Sequence, residues 1–237
     1  MARWLIKLEG DSSDLEEFPS SFPDGHVYAF SELECVYLTG IRFEQFSDAS
    51  DVLQAARQVL DEFVAIILLL WPSLRVPTLG DVYYENDSGQ RSRHLFASIH
   101  ESVRAKDRVS VTVNGNSILP SGPTEAQILL AVSRRAPRAQ TAMMIWADPS
   151  RTWPRLYRIL EELEMELGAT VSKVGLCTDD QRQRFNRSAN AAEVAGKDSR
   201  HAGGKFALPK NPMSLHDATS FVGGLIQGTL RHVKLNP

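Results

Sequence analysis

Over the first 118 positions, apolar residues occur in short β-branched and aromatic stretches, interrupted once by a long helical run. RWLIKLEG, residues 3–10, has strand composition. HVYAFSELECVYLTGIRFEQFSD continues in the same style, with Val36, Leu38, Ile41 and Phe43 interrupted by Thr39 and Gly40, the pattern of two strands or one bulged strand. A helix then begins at Asp48 or Ser50, either of which can cap it. It is amphipathic at Val52, Ala56, Val59, Leu60 and Phe63, turns apolar on all sides, and stops at Pro72. With no polar face over its last two turns, this helix has to be covered on several sides, so it is the element on which the sheet packs. Three more strands are expected beyond it. Turns fall at NDSG and AKD, and Val109, Val111 and Val113 alternate cleanly.

The period changes after NSILPSGPTE, residues 116–125, whose prolines, glycine and small polar residues mark a linker. The expected division is an α+β domain over residues 1–118 and a helical domain over 119–237. In the second, one helix starts at a Thr124 cap and a short apolar one follows Pro137. The clearest runs from Thr152 to Gly168, with Pro154 in its first turn. Trp153, Leu156, Tyr157, Leu160, Leu163 and Leu167 form its buried stripe, and the charged residues between them read as a solvated, helix-pairing face. Glu162 and Glu166, one turn apart, are expected to repel. Thr178 with Gln181 opens another helix as a capping box, and Ser214 with Asp217 opens the last, with Met213 in staple position. The fold class is therefore α+β: an N-terminal antiparallel sheet packed on one long helix, followed by an all-α bundle.

Composition narrows the function classes. The chain has 237 residues, 43% hydrophobic and 23% charged, which is ordinary for a globular protein. Its longest apolar run, residues 63–71, is far short of the roughly 20 residues a bilayer span requires, so no membrane partner is expected. The N-terminus turns acidic after a few apolar residues, unlike a signal peptide, and Cys35 and Cys177 stand alone, as free thiols in a reducing cytoplasm do. The net charge of −3 conceals an asymmetry: residues 1–118 hold 10 Lys+Arg against 18 Asp+Glu, and residues 119–237 hold 16 against 11. The second half is thus suited to an anionic partner, or the two halves attract each other.

The chemistry-bearing residues concentrate in 182–210, where Arg182, Arg184, Arg187, Lys197, Arg200, Lys205 and Lys210 face only Glu193 and Asp198, with His201 and the Gly203, Gly204 pair among them. Arginine's planar fork suits phosphate oxygens, imidazole exchanges a proton near neutral pH, and paired glycines let the backbone approach a ligand. The same residues also fit a solvated helix face followed by a long connection. Elsewhere, His94 and His100 lack a thiol or carboxylate partner of metal-site spacing, and no phosphate-loop, dinucleotide, nucleophile-elbow or zincin motif occurs. Neither a metal nor a cofactor is expected.

The pattern from RFNRSAN through AGKDSRHA to PKNPMSLHDATSFV, preceded by LYRILEELEMELG, resembles the C-terminal region of an uncharacterised bacterial family. More loosely, it resembles the helical HEPN domains. HEPN domains are small bundles, many of them metal-independent ribonucleases that act as dimers in toxin and phage-defence systems. The resemblance implies an RNA- or nucleotide-directed intracellular protein and a homodimer. It assigns Arg200 and His201 as catalytic residues, with His201 as general acid or base and Arg200 stabilising the charged phosphorane-like state. Lys197, Lys205, Arg187 and Arg184 would bind phosphate or RNA, and Asn190 and Asp198 would order the loop. Catalytic HEPN members separate the arginine from the histidine by several residues, whereas Arg200 and His201 are adjacent. The other reading is a non-catalytic interaction or sensor module that dimerises or docks a partner protein, with Arg200 and Asp198 as a structural ion pair.

Overall fold

The structure is a computed structural model and describes residues 2–95, 122–199 and 208–235. The chain divides into two compact units, Met1–Ile128 and Leu129–Pro237.

The first unit is built on the strands β1 (Arg3–Glu9), β2 (Tyr28–Glu32), β3 (Cys35–Thr39), β4 (Thr78–Glu85) and β5 (Arg91–His94). They form one antiparallel sheet in the order β2-β3-β1-β4-β5. Among the described residues four helices accompany them: α1 (Ser12–Leu15), α2 (Glu17–Ser21), α3 (Ile41–Glu44) and the 22-residue α4 (Ala49–Leu70). Asp48 caps α4 by accepting from Ser50 N at 2.7 Å, and the helix lies against β4, β1, α2 and α3. Every residue from 63 to 69 is buried, as the loss of a polar face predicts. Phe63 stacks on Phe22 with ring centroids 3.7 Å apart.

The sheet's other face is closed by ion pairs and rings. Arg3 lies over the Phe30 ring, Arg91 over Tyr37, and Arg93 pairs with Asp81. Glu85 accepts from Arg3 Nε at 2.9 Å and from Arg91 Nε at 2.6 Å. Burial alone would raise the Glu85 carboxyl, but these two donors outweigh it and hold the group below the ordinary carboxylate range.

One expected strand is a helix. Strand β3 ends at Thr39, and Ile41 and Phe43 belong to the single turn of α3. The cause is Gly40, at φ 144°, where a Cβ would stand 2.2 Å from the carbonyl oxygen of His26. The chain reverses there, burying Phe43 and leaving Ile41 57% exposed. Of the strands expected after α4, β4 and β5 are present; the one at Val109, Val111 and Val113, His100, and most of the 116–125 linker lie outside the described residues.

The second unit is helical. α5 (Glu125–Ser133) begins in the first unit, where Thr124 and Gln127 cap it reciprocally and Thr124 Oγ1 donates to Ser21 O. It is followed by α6 (Pro137–Ala147), α7 (Trp153–Leu167), α8 (Asp179–Asn190), α9 (Ala192–Ala195), a 3-10 turn over Gly196–Asp198, and α10 (Leu215–Leu235). Gly168 ends α7 in the left-handed conformation, and the Thr178–Gln181 capping box opens α8. α10 starts at the reciprocal pair Ser214 and Asp217. Thr152 stands at the α7 N-cap without a side-chain hydrogen bond, and Tyr157 and Leu167 are only half-buried. α10 and α7 pack together and both contact α6, where Gly223 lets Trp146 approach α10 closely.

Two outcomes are expected. Gly40→Ala costs about 3 kcal/mol because it combines a strained φ with a backbone clash, whereas Ile41→Ala stays within about 0.5 kcal/mol, as denaturant unfolding measures. Because the folded-state value of Glu85 is depressed, its contribution is present above the unfolded carboxylate pKa and is lost as pH falls through the folded value. Glu85→Gln therefore flattens the acid side of a stability-against-pH curve below about pH 4.5.

Candidate functional site

The basic segment is anchored by polar bonds at its base. On α8, Arg184 Nε donates to Asn211 O at 2.5 Å, and its Nη2 donates to Pro212 O at 3.4 Å. One turn later, the fully buried Ser188 donates to Arg184 O at 2.8 Å and accepts from Met213 N at 2.9 Å. The chain that leaves α8 is thus brought back to α8 immediately before α10. Arg182 is also engaged, as a bidentate partner of Glu164 at 2.6 and 2.8 Å, and the Glu164 carboxylate bonds raise the guanidinium still further above its ordinary value.

Several other predicted site residues have definite places. Arg187 is exposed on α8. Asn190 donates to Asn186 O at 2.7 Å, while its Oδ1 and that of Asn186 are buried without a hydrogen-bond partner. Lys197 is exposed in the 3-10 turn and Asp198 is half-buried beside it. Arg200, His201 and Lys205 lie outside the described residues.

Lys197, Asp198 and Ser199 form one wall of a cavity of about 370 Å³, opposite Trp153, Tyr157 and Arg158 of α7. The α7 wall exists because positions 153 and 157 are one turn apart and rest on Phe185 of α8. Its ring centroid is 6.0 Å from that of Trp153 and 6.3 Å from that of Tyr157, and Phe221 of α10 backs Phe185 at 5.6 Å. Trp153 is buried, Tyr157 keeps part of its surface open, and the Arg158 side chain is 54% exposed. The sequence reading assigned Trp153 and Tyr157 to the core stripe. The signal it left unused is that Tyr157, a ring with a polar tip, stands at the stripe's edge directly beside Arg158.

The charged residues of α7 also depart from expectation. Glu162 is fully buried, between Arg158 Nη2 at 2.5 Å and Arg138 Nη1 at 3.4 Å. Glu166 does not stand against it, because its Oε2 accepts from Arg138 N at 2.8 Å and Ala139 N at 3.2 Å at the start of α6. Two carboxylates one turn apart coexist because each has its own donors, a helix N-terminus in one case and two guanidinium groups in the other.

Among the described residues, no group of three His, Cys, Asp or Glu side chains could hold a metal ion, and no helix is long and apolar enough to cross a membrane. Cys35 and Cys177 are free thiols, and burial raises the Cys177 thiol above its ordinary value. No protein-family model matches the chain, and neither a curated protein nor a solved structure does.

Replacing Glu162 by Ala leaves two guanidinium groups facing a void where their counter-charge was. The expected loss is about 2 kcal/mol, reduced from that of a fully buried pair because both arginines reach solvent, and chemical denaturation of the variant measures it.

Proposed function

We propose that the protein is an RNA- or nucleotide-directed module of HEPN-like type working in the cytoplasm, with the cavity between α7 and the 3-10 turn as its binding site. The observation that supports it is the convergence of a partly open aromatic ring, Tyr157, with Arg158 and Lys197 around about 370 Å³, a volume that suits a nucleotide-sized ligand. A base stacks on an aromatic face whatever its identity, and phosphate oxygens are met by the guanidinium and the ammonium. Asp198 and Ser199, on the same wall, directly precede Arg200 and His201 in the chain. In the proposal those two act on a phosphodiester without metal: His201 transfers the proton and Arg200 stabilises the charged phosphorane-like state. A homodimer and a toxin or phage-defence setting come to the proposal from the HEPN resemblance.

Fluorescence anisotropy with a labelled single-stranded RNA tests binding, and gel analysis of the same RNA tests cleavage. Lys197→Glu and Tyr157→Ala are each expected to lower affinity by about tenfold, with a shallower salt dependence for Lys197→Glu. The double variant Arg200→Ala with His201→Ala is expected to lose cleavage while its fold and oligomeric state persist. Absence of RNA binding at low salt, or loss only of folding or assembly in the double variant, rejects the proposal.

One observation favours the second reading, a non-catalytic interaction or sensor module. Arg182 is charge-paired with Glu164 and Arg184 uses its donors on main-chain carbonyls, so the basic segment offers a polyanion fewer free guanidinium donors than its composition suggests. In that case a partner protein or a second copy is retained by the intact chain, and RNA is not.

A further inference from the structure

The N-terminal unit carries a separate cleft of about 570 Å³ on the helix-facing side of its sheet. Trp4 of β1 pairs across the ladder with Tyr84 of β4, and Tyr84 pairs with Ser92 of β5, so these residues share one face, joined by His94 two positions further along. The rings are tilted walls rather than a flat stack: Trp4 and Tyr84 have centroids 4.9 Å apart at 58°, and Trp4 and His94 5.7 Å apart at 53°. Phe46, just after α3, closes a further side and takes the indole N–H of Trp4 on its carbonyl at 3.1 Å. The only donor of the indole is thereby used, and Trp4, 6% exposed between Tyr84 and His94, offers a ligand only a small area of ring carbon.

The sign of the ligand follows from the charges around the cleft. Arg3 borders it, but the pairing of Arg3 with Glu85 puts the guanidinium on the opposite face, where it bonds Glu85 and lies over Phe30. Glu44 lines the cleft, is exposed, and takes part in none of the ion pairs among the described residues. Asp48, kept ionised by its hydrogen bonds from Ser50 with a smaller contribution from nearby His94, neutralises the positive end of α4. The side that faces a ligand is therefore aromatic and negative.

We propose that this cleft binds an organic cation of the alkylated-ammonium class, with the cationic head against Trp4, Tyr84 and Phe46 and with Glu44 as its counter-charge. An alkylated ammonium is weakly hydrated and needs no acceptors, which suits walls made of rings whose nearest carbonyl is already occupied. A guanidinium or primary ammonium is more strongly hydrated and would need acceptors for all its N–H groups, of which the lining supplies Glu44 and the hydroxyls of Ser47, Ser92 and Tyr84 beside the rings. The cleft is larger than the head group alone, so the cation is carried on a larger body, either a free small molecule or the side chain of a methylated lysine.

Titration calorimetry on the full chain tests this with choline and its uncharged carbon isostere, in which a tert-butyl group replaces the trimethylammonium. Choline is expected to bind saturably and the isostere about tenfold more weakly. Glu44→Gln and Tyr84→Ala alter exposed residues, Tyr84 being 37% exposed, and leave the thermal midpoint nearly unchanged, so they separate recognition from folding where a Trp4 variant does not. Each is expected to weaken choline binding by about three- to tenfold. Equal binding of the isostere, no saturable choline binding, or unchanged affinity in both variants overturns the proposal. A peptide carrying trimethyllysine that binds more tightly than choline assigns the cation to a protein side chain, and one that binds more weakly assigns it to a free molecule.

Discussion

The N-terminal unit depends on one constraint: the second half of α4 has no side that tolerates water. Seven consecutive buried residues, 63 to 69, cannot be covered by a sheet alone, because a sheet covers only one face of a helix. Strands β1 and β4 supply that face. α2 and α3 cover other sides, and the stacking of Phe22 on Phe63 ties the chain between β1 and β2 to the same helix. Burial of α3 through Phe43 also explains why the chain reverses at Gly40 instead of continuing as a strand. The reversal places Glu44 and Phe46 beside the end of the sheet, so the cleft's negative rim is a consequence of how α4 is covered.

In the helical unit, polar bonds place the candidate site. Arg184 and Ser188, one turn apart on α8, hold the segment from Asn211 to Met213, and this closes the connection between α8 and α10 into a loop with a fixed base. Functional loop residues are positioned by the rigid elements that flank them. The Trp153–Phe185–Tyr157 cluster forms the aromatic wall of the cavity that Lys197, Asp198 and Ser199 face. Fixed base and aromatic wall together place Lys197 and Asp198 across a cavity from Arg158, although 39 positions separate Lys197 from Arg158 in the chain.

Regular periodicity was readable from residues alone. The Thr178–Gln181 box, the Ser214–Asp217 start of α10, Gly168 at the end of α7 and the uncovered face of α4 are local signals, complete within a few positions, and each produces the element it announces. The misread features depend on distant partners. Ile41 and Phe43 alternate like a strand, but they follow Gly40 at φ 144°, a position that only glycine can fill because the His26 carbonyl, 14 positions earlier, leaves no room for a Cβ. Glu162 and Glu166 look like mutual repulsion on one helix; their donors come from α6 and from Arg158. Nothing in the helix of Arg184 shows that its guanidinium donates to two carbonyls 27 and 28 positions away.

The charge asymmetry of the chain takes on a narrower meaning once these partners are known. Counting residues gives the second half a positive field, yet Arg182 and Arg184 are engaged by Glu164 and by main-chain carbonyls, and Arg138 and Arg158 share the buried Glu162. A field made of such charges falls off within about one Debye length and steers polyanions weakly. Around the cavity beside Trp153 and Tyr157, the cations that keep open surface are Lys197 and the exposed part of Arg158. The N-terminal cleft shows the same arithmetic with the opposite sign. Asp48 near the cleft is taken by a helix cap, and among the described residues that line the cleft the carboxylate is Glu44, which keeps an open charge. In both units charges that composition counts as free are engaged by structural partners, and the open ones, Lys197 and Arg158 in one and Glu44 in the other, stand beside aromatic rings.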